Sequence, residues 1–312
     1  MKPIIKRFPE KQKLANLVEW YAENMVFPLK ITPSTKIVSM GSCFAREVKK
    51  YLVAHGYNYL QAEADKRPWL ADDGEHPADH ASCAWERVYN VFTFRNIMQS
   101  SFCSVSGVPL WQAGRLLDCG KYCVDLLRTR IAYPSVAAAE ADIAEHIQKS
   151  REVLLGCEVF IFTLGLVEIW KSGNMVLGCS PFHYSLYPPI GDFKYHVSTF
   201  DENRSALFEG LQILRDVNPT AKIILSVSPV HLCATHREDT DILSASCYSK
   251  SVLRAVAGEA AGVFSNVFYF SSYEIATVAS AILQRDIYPD GHHAGREIID
   301  SIMEIFHRKT KE

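Results

Sequence analysis

Apolar positions along this chain alternate between two periods, and that alternation predicts its elements. Residues 36–40 form a short β-branched run that ends at Gly41. Phe44, Val48, Tyr51 and Leu52 then recur at helical spacing over 43–55, with Gly56 placed to end the helix. A second strand is expected over 57–60, a helix over 93–101, and a hairpin over 115–128 broken at Cys119-Gly120. A long amphipathic helix over 135–155 feeds a buried strand at 159–164. Thr199-x-x-Glu202 is a capping-box pattern before a helix with Leu207, Leu211 and Leu214 on one face. Strands at 222–227 and 267–270 alternate with helices over 244–261, 273–283 and 294–307. Strands alternating with long helices argue for βαβ units and a parallel sheet covered on both faces.

Residues 1–34 read as a polar lead-in, helical over 11–25. Residues 35–312 read as one domain with insertions around 62–87 and 168–198. The first insertion is rich in Asp and His and contains Pro68 and Pro77, the composition of a lid, a binding loop or an unstructured insert.

Composition narrows the function classes. Hydrophobic residues make up 48% and charged residues 22%, which suits a globular chain. A net charge of −2 leaves no basic footprint for nucleic acid. No apolar run nears the roughly 18 residues of a membrane span, and none follows the basic N-terminus as a secretory signal would. Nine cysteines, odd in number and without paired spacing, predict reduced thiols and a cytoplasmic protein.

In open α/β sheets, ligands bind beyond the carboxyl ends of the strands. After the first strand, Gly41 permits a tight turn and Ser42 stands at a helix N-terminus, where an oxyanion finds donors. The same position suits an ordinary serine N-cap, and both readings stand. Cys43 is a rival nucleophile or a small buried thiol. A serine needs a base and the base an orienting acid. Asp290 and His293 lie three apart at an expected helix start, with His292 as the local competitor; a cap beside a surface histidine is the plain alternative.

Gly41-Ser42-Cys43-Phe44-Ala45 resembles the GSCFA domain family, placed with the SGNH/GDSL hydrolases. Tyr89-Asn90, Ser228-Pro229-Val230, Ser249-Lys250 and Asp290-x-x-His293 are similar to that family too, and the resemblance runs over 35–306. It implies a flavodoxin-like three-layer α/β/α sandwich with a central parallel sheet, Ser42 as nucleophile, His293 as base and Asp290 as its orienter. In SGNH hydrolases a Gly-x-Asn-Asp block often follows the third strand; here Gly165-Leu166-Val167-Glu168 stands there, without the Asn. Asn90 and the backbone N–H groups of Ser42 and Gly165 are expected to replace it, or the oxyanion hole is weaker. Glu168 suits a sugar hydroxyl or a local turn cap.

His231-x-Cys233-x-x-His236 offers zinc-donor types but lacks Cys-x-x-Cys pairs, and no metal is expected. An aromatic stretch over 181–196, including His183 as a candidate substrate contact, suits sugar stacking or loop anchoring. The expected activity is a serine-dependent esterase or deacylase on a carbohydrate ester. The alternatives are an O-acyltransferase, with acyl-CoA as co-substrate and no other cofactor, and a non-catalytic binding protein.

Overall fold

The computed structural model describes residues 6–63, 78–105, 108–109, 114–178, 180, 193–291 and 293–311. A 3-10 turn (Lys11–Leu14) precedes α1 (Leu17–Asn24). Asn16 divides the helix expected over 11–25, because its side chain caps the Glu19 N–H. There follow β1 (Ile37–Gly41), α2 (Cys43–Ala54), α3 (Val91–Phe102), β2 (Ser104–Val105), β3 (Val108–Pro109), β4 (Leu116–Asp118), β5 (Cys123–Asp125) and β6 (Arg128–Tyr133). Next come α4 (Val136–Gly156), β7 (Val159–Leu164), β8 (Glu168–Ser172), β9 (Met175–Val176), β10 (Phe193–Val197) and α5 (Phe200–Val217). The chain continues with β11 (Lys222–Val227), α6 (Ile242–Val263), β12 (Val267–Tyr269) and α7 (Ser272–Glu274). A π-helical turn (Ile275–Ala279), α8 (Ser280–Leu283) and α9 (Arg296–Thr310) complete it.

Strands β1, β7, β11 and β12 lie side by side in that order, all parallel. Side chains alternate across the sheet with the period of two that strands impose. Val38, Met40, Phe160, Phe162, Ile223 and Leu225 pack with residues of α3, α5 and α6, among them Phe94, Leu211 and Val256. Ile37, Val159, Ile161 and Ile224 pack on the opposite face with residues of α2 and α9, among them Phe44, Leu52, Ile302 and Phe306. Each such side chain taken from water contributes about 1.5–3 kcal/mol. The result is a three-layer α/β/α sandwich.

The strand expected over 57–60 is reduced to one parallel bridge between Ile37 and Tyr59. Its neighbouring N–H groups are drawn elsewhere: Tyr57 N–H donates to Leu52 O and Asn58 N–H to Pro33 O. Tyr59 still lies outside β1, so the order of segments reverses between β1 and β7. That is the switch point where flavodoxin-like sheets bind ligands. The outer edge of β1 is paired along its length by the segments at 58–60 and 82–88. Ile37 bonds Asn58 and Leu60, Ser39 O and N–H bond the Ser82 N–H and Oγ, and Gly41 O accepts from Val88 N–H.

The expected hairpin forms as β4 and β5, and β6 extends it to a small three-stranded antiparallel sheet. Its third strand carries Arg128 and Arg130, both buried. Asp125 bonds Arg115 Nε and Nη2 at 2.7 Å and Arg128 Nε at 2.9 Å, while Asp142 bonds Arg128 Nη2 at 2.7 Å. The second expected insertion is built partly as β8, β9 and β10, an antiparallel sheet. His183, His292, residues 64–77 of the first expected insertion and most of the 181–196 aromatic stretch lie outside the described residues.

Candidate active site

Gly41 closes β1 with φ +152°, and a Cβ there would sit 2.6 Å from Thr163 O on the neighbouring strand. Only glycine allows β1 and β7 to approach so closely at the point where α2 must begin. Ser42 follows as the N-cap of α2, yet its side chain makes no capping bond. It is 3% exposed, and its Oγ has no hydrogen-bond partner among the described residues. An N-cap serine ordinarily satisfies a helix N–H with that oxygen. Here the hydroxyl is left to a cavity.

That cavity, of about 280 Å³, opens at the carboxyl ends of β1, β7 and β11. Ser42, Asn90, Gly165, Glu168 and Lys250 line it, with Trp170, Tyr195 and His236 on a further wall. Those three rings pack together, Trp170 lying 5.0 Å from His236 and 5.4 Å from Tyr195. Glu168 Oε1 accepts from Thr235 Oγ1 at 2.8 Å, tying β8 to the loop after β11. Burial, with Glu168 adding to it, pushes the Tyr195 phenol well above its ordinary value.

Asp290 and His293 form the expected pair. The carboxylate accepts His293 N–H at 2.6 Å and the Nδ1 proton at 2.8 Å. The pair sits in the turn before α9, whose cap is Gly295, and not at the helix start expected. Both side chains are more than half exposed and line an adjoining cavity of about 490 Å³ with Arg46, Arg87 and His80. Cys43 and Val230 stand on the walls of both cavities. Cys43 therefore does not turn into the sheet; its Sγ lies 3.3 Å from the Tyr89 hydroxyl. Ser42 and the acid–histidine pair occupy neighbouring chambers, and no hydrogen bond joins them among the described residues.

Two of the expected oxyanion donors are already engaged. Ser42 N–H donates to Thr163 O at 3.2 Å, and Gly165 N–H donates to Tyr89 O at 3.0 Å. The first bond extends the β1–β7 ladder past Gly41, and the second seats the β7 turn on the 89–90 segment. Asn90 is different. It caps α3, accepting Thr93 N–H and Thr93 Oγ1 through its Oδ1, which leaves its NH₂ group as a donor lining the cavity.

Lys250 was not anticipated as a site residue. It lies on the core-facing side of α6, is 2% exposed, and donates to Gly165 O at 2.6 Å. Burial pushes its ammonium down to about 7, with Cys43 partly offsetting this. The available signal is its place in the stripe of Ser246, Ser249, Leu253, Val256 and Ala257, where apolar or small residues belong. His231, also on the cavity wall, lies tilted against Tyr288 with ring centroids 4.2 Å apart; burial and then Lys250 lower its pKa.

His231, Cys233 and His236 share the cavity wall without converging on one point. Among the described residues, the donor atoms of Glu63, Cys83 and His146 are the group that converges, within 4.8 Å. The Glu63 carboxylate there already accepts from the Cys83 thiol and the Ala84 N–H, with His146 Nδ1 2.6 Å away. These bonds account for the cluster. Among the described residues no helix is long and apolar enough to cross a membrane.

Fold and site together define a three-layer α/β protein with a serine-floored cavity at the switch point of its sheet. The model of the GSCFA family matches residues 36–306, and the chain belongs to that family. No curated protein and no solved structure matches the chain significantly.

Proposed function

We propose that this protein is a serine-dependent acyl-ester enzyme of the SGNH type, acting on a carbohydrate ester in a reducing, cytoplasmic compartment. The observation that carries the reading is the Ser42 hydroxyl: buried, unpartnered, at a helix N-terminus, and facing a cavity. Ser42 Oγ attacks the ester carbonyl carbon while its proton passes to His293 Nε2. Asp290 holds the Nδ1 proton on the far side of the ring. The tetrahedral adduct collapses, the alcohol leaves with the proton from His293, and an acyl-serine remains. The imidazole is more than half exposed, and catalytic hydrogen bonds often tighten only with substrate bound. The packed rings of Trp170, Tyr195 and His236 supply faces for a sugar ring, and Glu168 an acceptor for its hydroxyls.

An O-acyltransferase is the second reading, in which a sugar hydroxyl replaces water in the second step. Arg46 and Arg87 on the adjoining cavity, which Glu47 and Asp290 also line, supply guanidinium groups for a phosphate-bearing acyl donor such as acyl-CoA. The test is a fluorophosphonate probe with a short-chain nitrophenyl ester. Wild type is expected to label at Ser42 and turn over the ester, and Ser42→Ala to do neither. Absence of labelling in both would leave a binding protein, whereas loss in Cys43→Ala alone would move the nucleophile to Cys43.

A further inference from the structure

We propose that the Lys250 ammonium is a catalytic group of this cavity, binding the oxyanion that forms when Ser42 adds to an ester carbonyl. The inference rests on the acyl-ester reading of Ser42. Four observations support it.

Lys250 is buried, and no carboxylate pairs with it among the described residues. A buried ammonium with one carbonyl partner is costly, and an apolar side chain of similar volume would fill the same place without that cost. Its position is tied to the nucleophile through one residue. Gly165 O accepts the Lys250 N–H at 2.6 Å, and a Cβ on Gly165 would lie 3.1 Å from Ser42 Cβ. An ammonium has three N–H groups, so two remain beyond the bond to Gly165. Finally, two backbone donors expected to serve an oxyanion, the N–H groups of Ser42 and Gly165, are bonded to Thr163 O and Tyr89 O. The Asn90 NH₂ and the Lys250 ammonium are side-chain donors on the cavity lining that Ser42 shares.

The step balances without proton transfer to lysine. As the Ser42 Oγ–carbon bond forms, the carbonyl π pair moves to oxygen, and the negative oxygen is held by Lys250 N–H and the Asn90 NH₂. The ester is neutral and the adduct is charged, so the cation favours the adduct over the ground state. For a buried ammonium this effect is larger than at a surface.

The ammonium faces Cys43 from α2 and His231 from the loop after β11; across the cavity stand Glu168, Tyr195 and His236. Because burial brings Lys250 down to about 7, its charged form predominates below that pH and fades above it. Hydrolysis therefore falls on the alkaline side of neutrality.

The experiment follows nitrophenyl-ester hydrolysis and fluorophosphonate labelling from pH 5 to 10 in the full chain, with wild type, Lys250→Met and Lys250→Arg. Lys250→Met is expected to lower kcat by about 10²–10³-fold with KM little changed, as for loss of an oxyanion donor. Lys250→Arg is expected to recover part of the rate and to carry it to higher pH. A Lys250→Arg pH profile that keeps the wild-type alkaline fall, or a folded Lys250→Met with unchanged kcat, would overturn the assignment. If Lys250→Met does not fold, the wild-type pH limb and Lys250→Arg still decide. Wild type that never labels at Ser42 overturns the acyl-ester reading itself and the inference with it.

Discussion

One missing methyl group sets the turn that presents Ser42. With φ +152° and Thr163 O directly behind its α-carbon, Gly41 has no room for a side chain. Gly41→Ala is expected to cost roughly 1–3 kcal/mol in urea unfolding, and to reduce probe labelling because Ser42 shifts with the turn. An unchanged urea midpoint would show that the β1–β7 approach is looser than described. This residue was legible in the sequence, as was the Asp290–His293 pair, because each acts over a few positions. Lys250 was not. It meets Ser42 through Gly165, and only the folded sheet brings those three segments together. Its local traces are the family-like Ser249-Lys250 pair, which gives it no role, and a lysine where the α6 stripe should be apolar.

Elements show the same division between local and distant causes. The helices and the four strands of the main sheet were readable, because burial on both faces writes itself as continuous apolar runs. Strand β6 was missed for the opposite reason: its Arg128 and Arg130 look like solvent-facing residues. Arg128 is tolerated in the interior through the carboxylates of Asp125 and Asp142. Asp125 serves Arg115 and Arg128 together, so its loss would leave two buried guanidinium groups short of a partner. Asp125→Asn is expected to destabilise by about 3–5 kcal/mol in chemical denaturation. Asp239→Asn, which removes a surface partner of Arg237, should leave the midpoint nearly unchanged. The expected strand at 57–60 failed because its pairing groups were taken by Pro33 and Leu52, positions that no periodicity reveals.

At the scale of the whole molecule, pH acts through buried groups, since the net charge is only −2. Glu86 is buried, and its carboxylate oxygen accepts Arg130 N–H at 2.9 Å. Burial raises its pKa to about 8, from 4.5 in the absence of that environment. The folded chain therefore holds this proton more tightly than the unfolded chain. Its stabilising contribution is full below pH 4.5 and is lost as pH climbs through 8. Thermal midpoints are expected to fall from pH 5 to 8 in wild type and to fall less in Glu86→Gln. Equal slopes for the two proteins would exclude Glu86 as the source.

Glu86 belongs to the stretch that also covers the outside of β1, and that covering has a consequence for association between molecules. An uncovered outer strand offers a row of unpaired amides to any passing chain, a route to runaway sheet extension. Here the row is already occupied: Asn58, Leu60, Ser82 and Val88 bond the outward-facing groups of Ile37, Ser39 and Gly41. The far margin of the sheet is β12, only three residues long. Copies of this chain therefore have little to gain by adding strands to one another. The segment that seals the sheet runs directly into Tyr89 and Asn90, so the guard against aggregation also anchors one wall of the cavity.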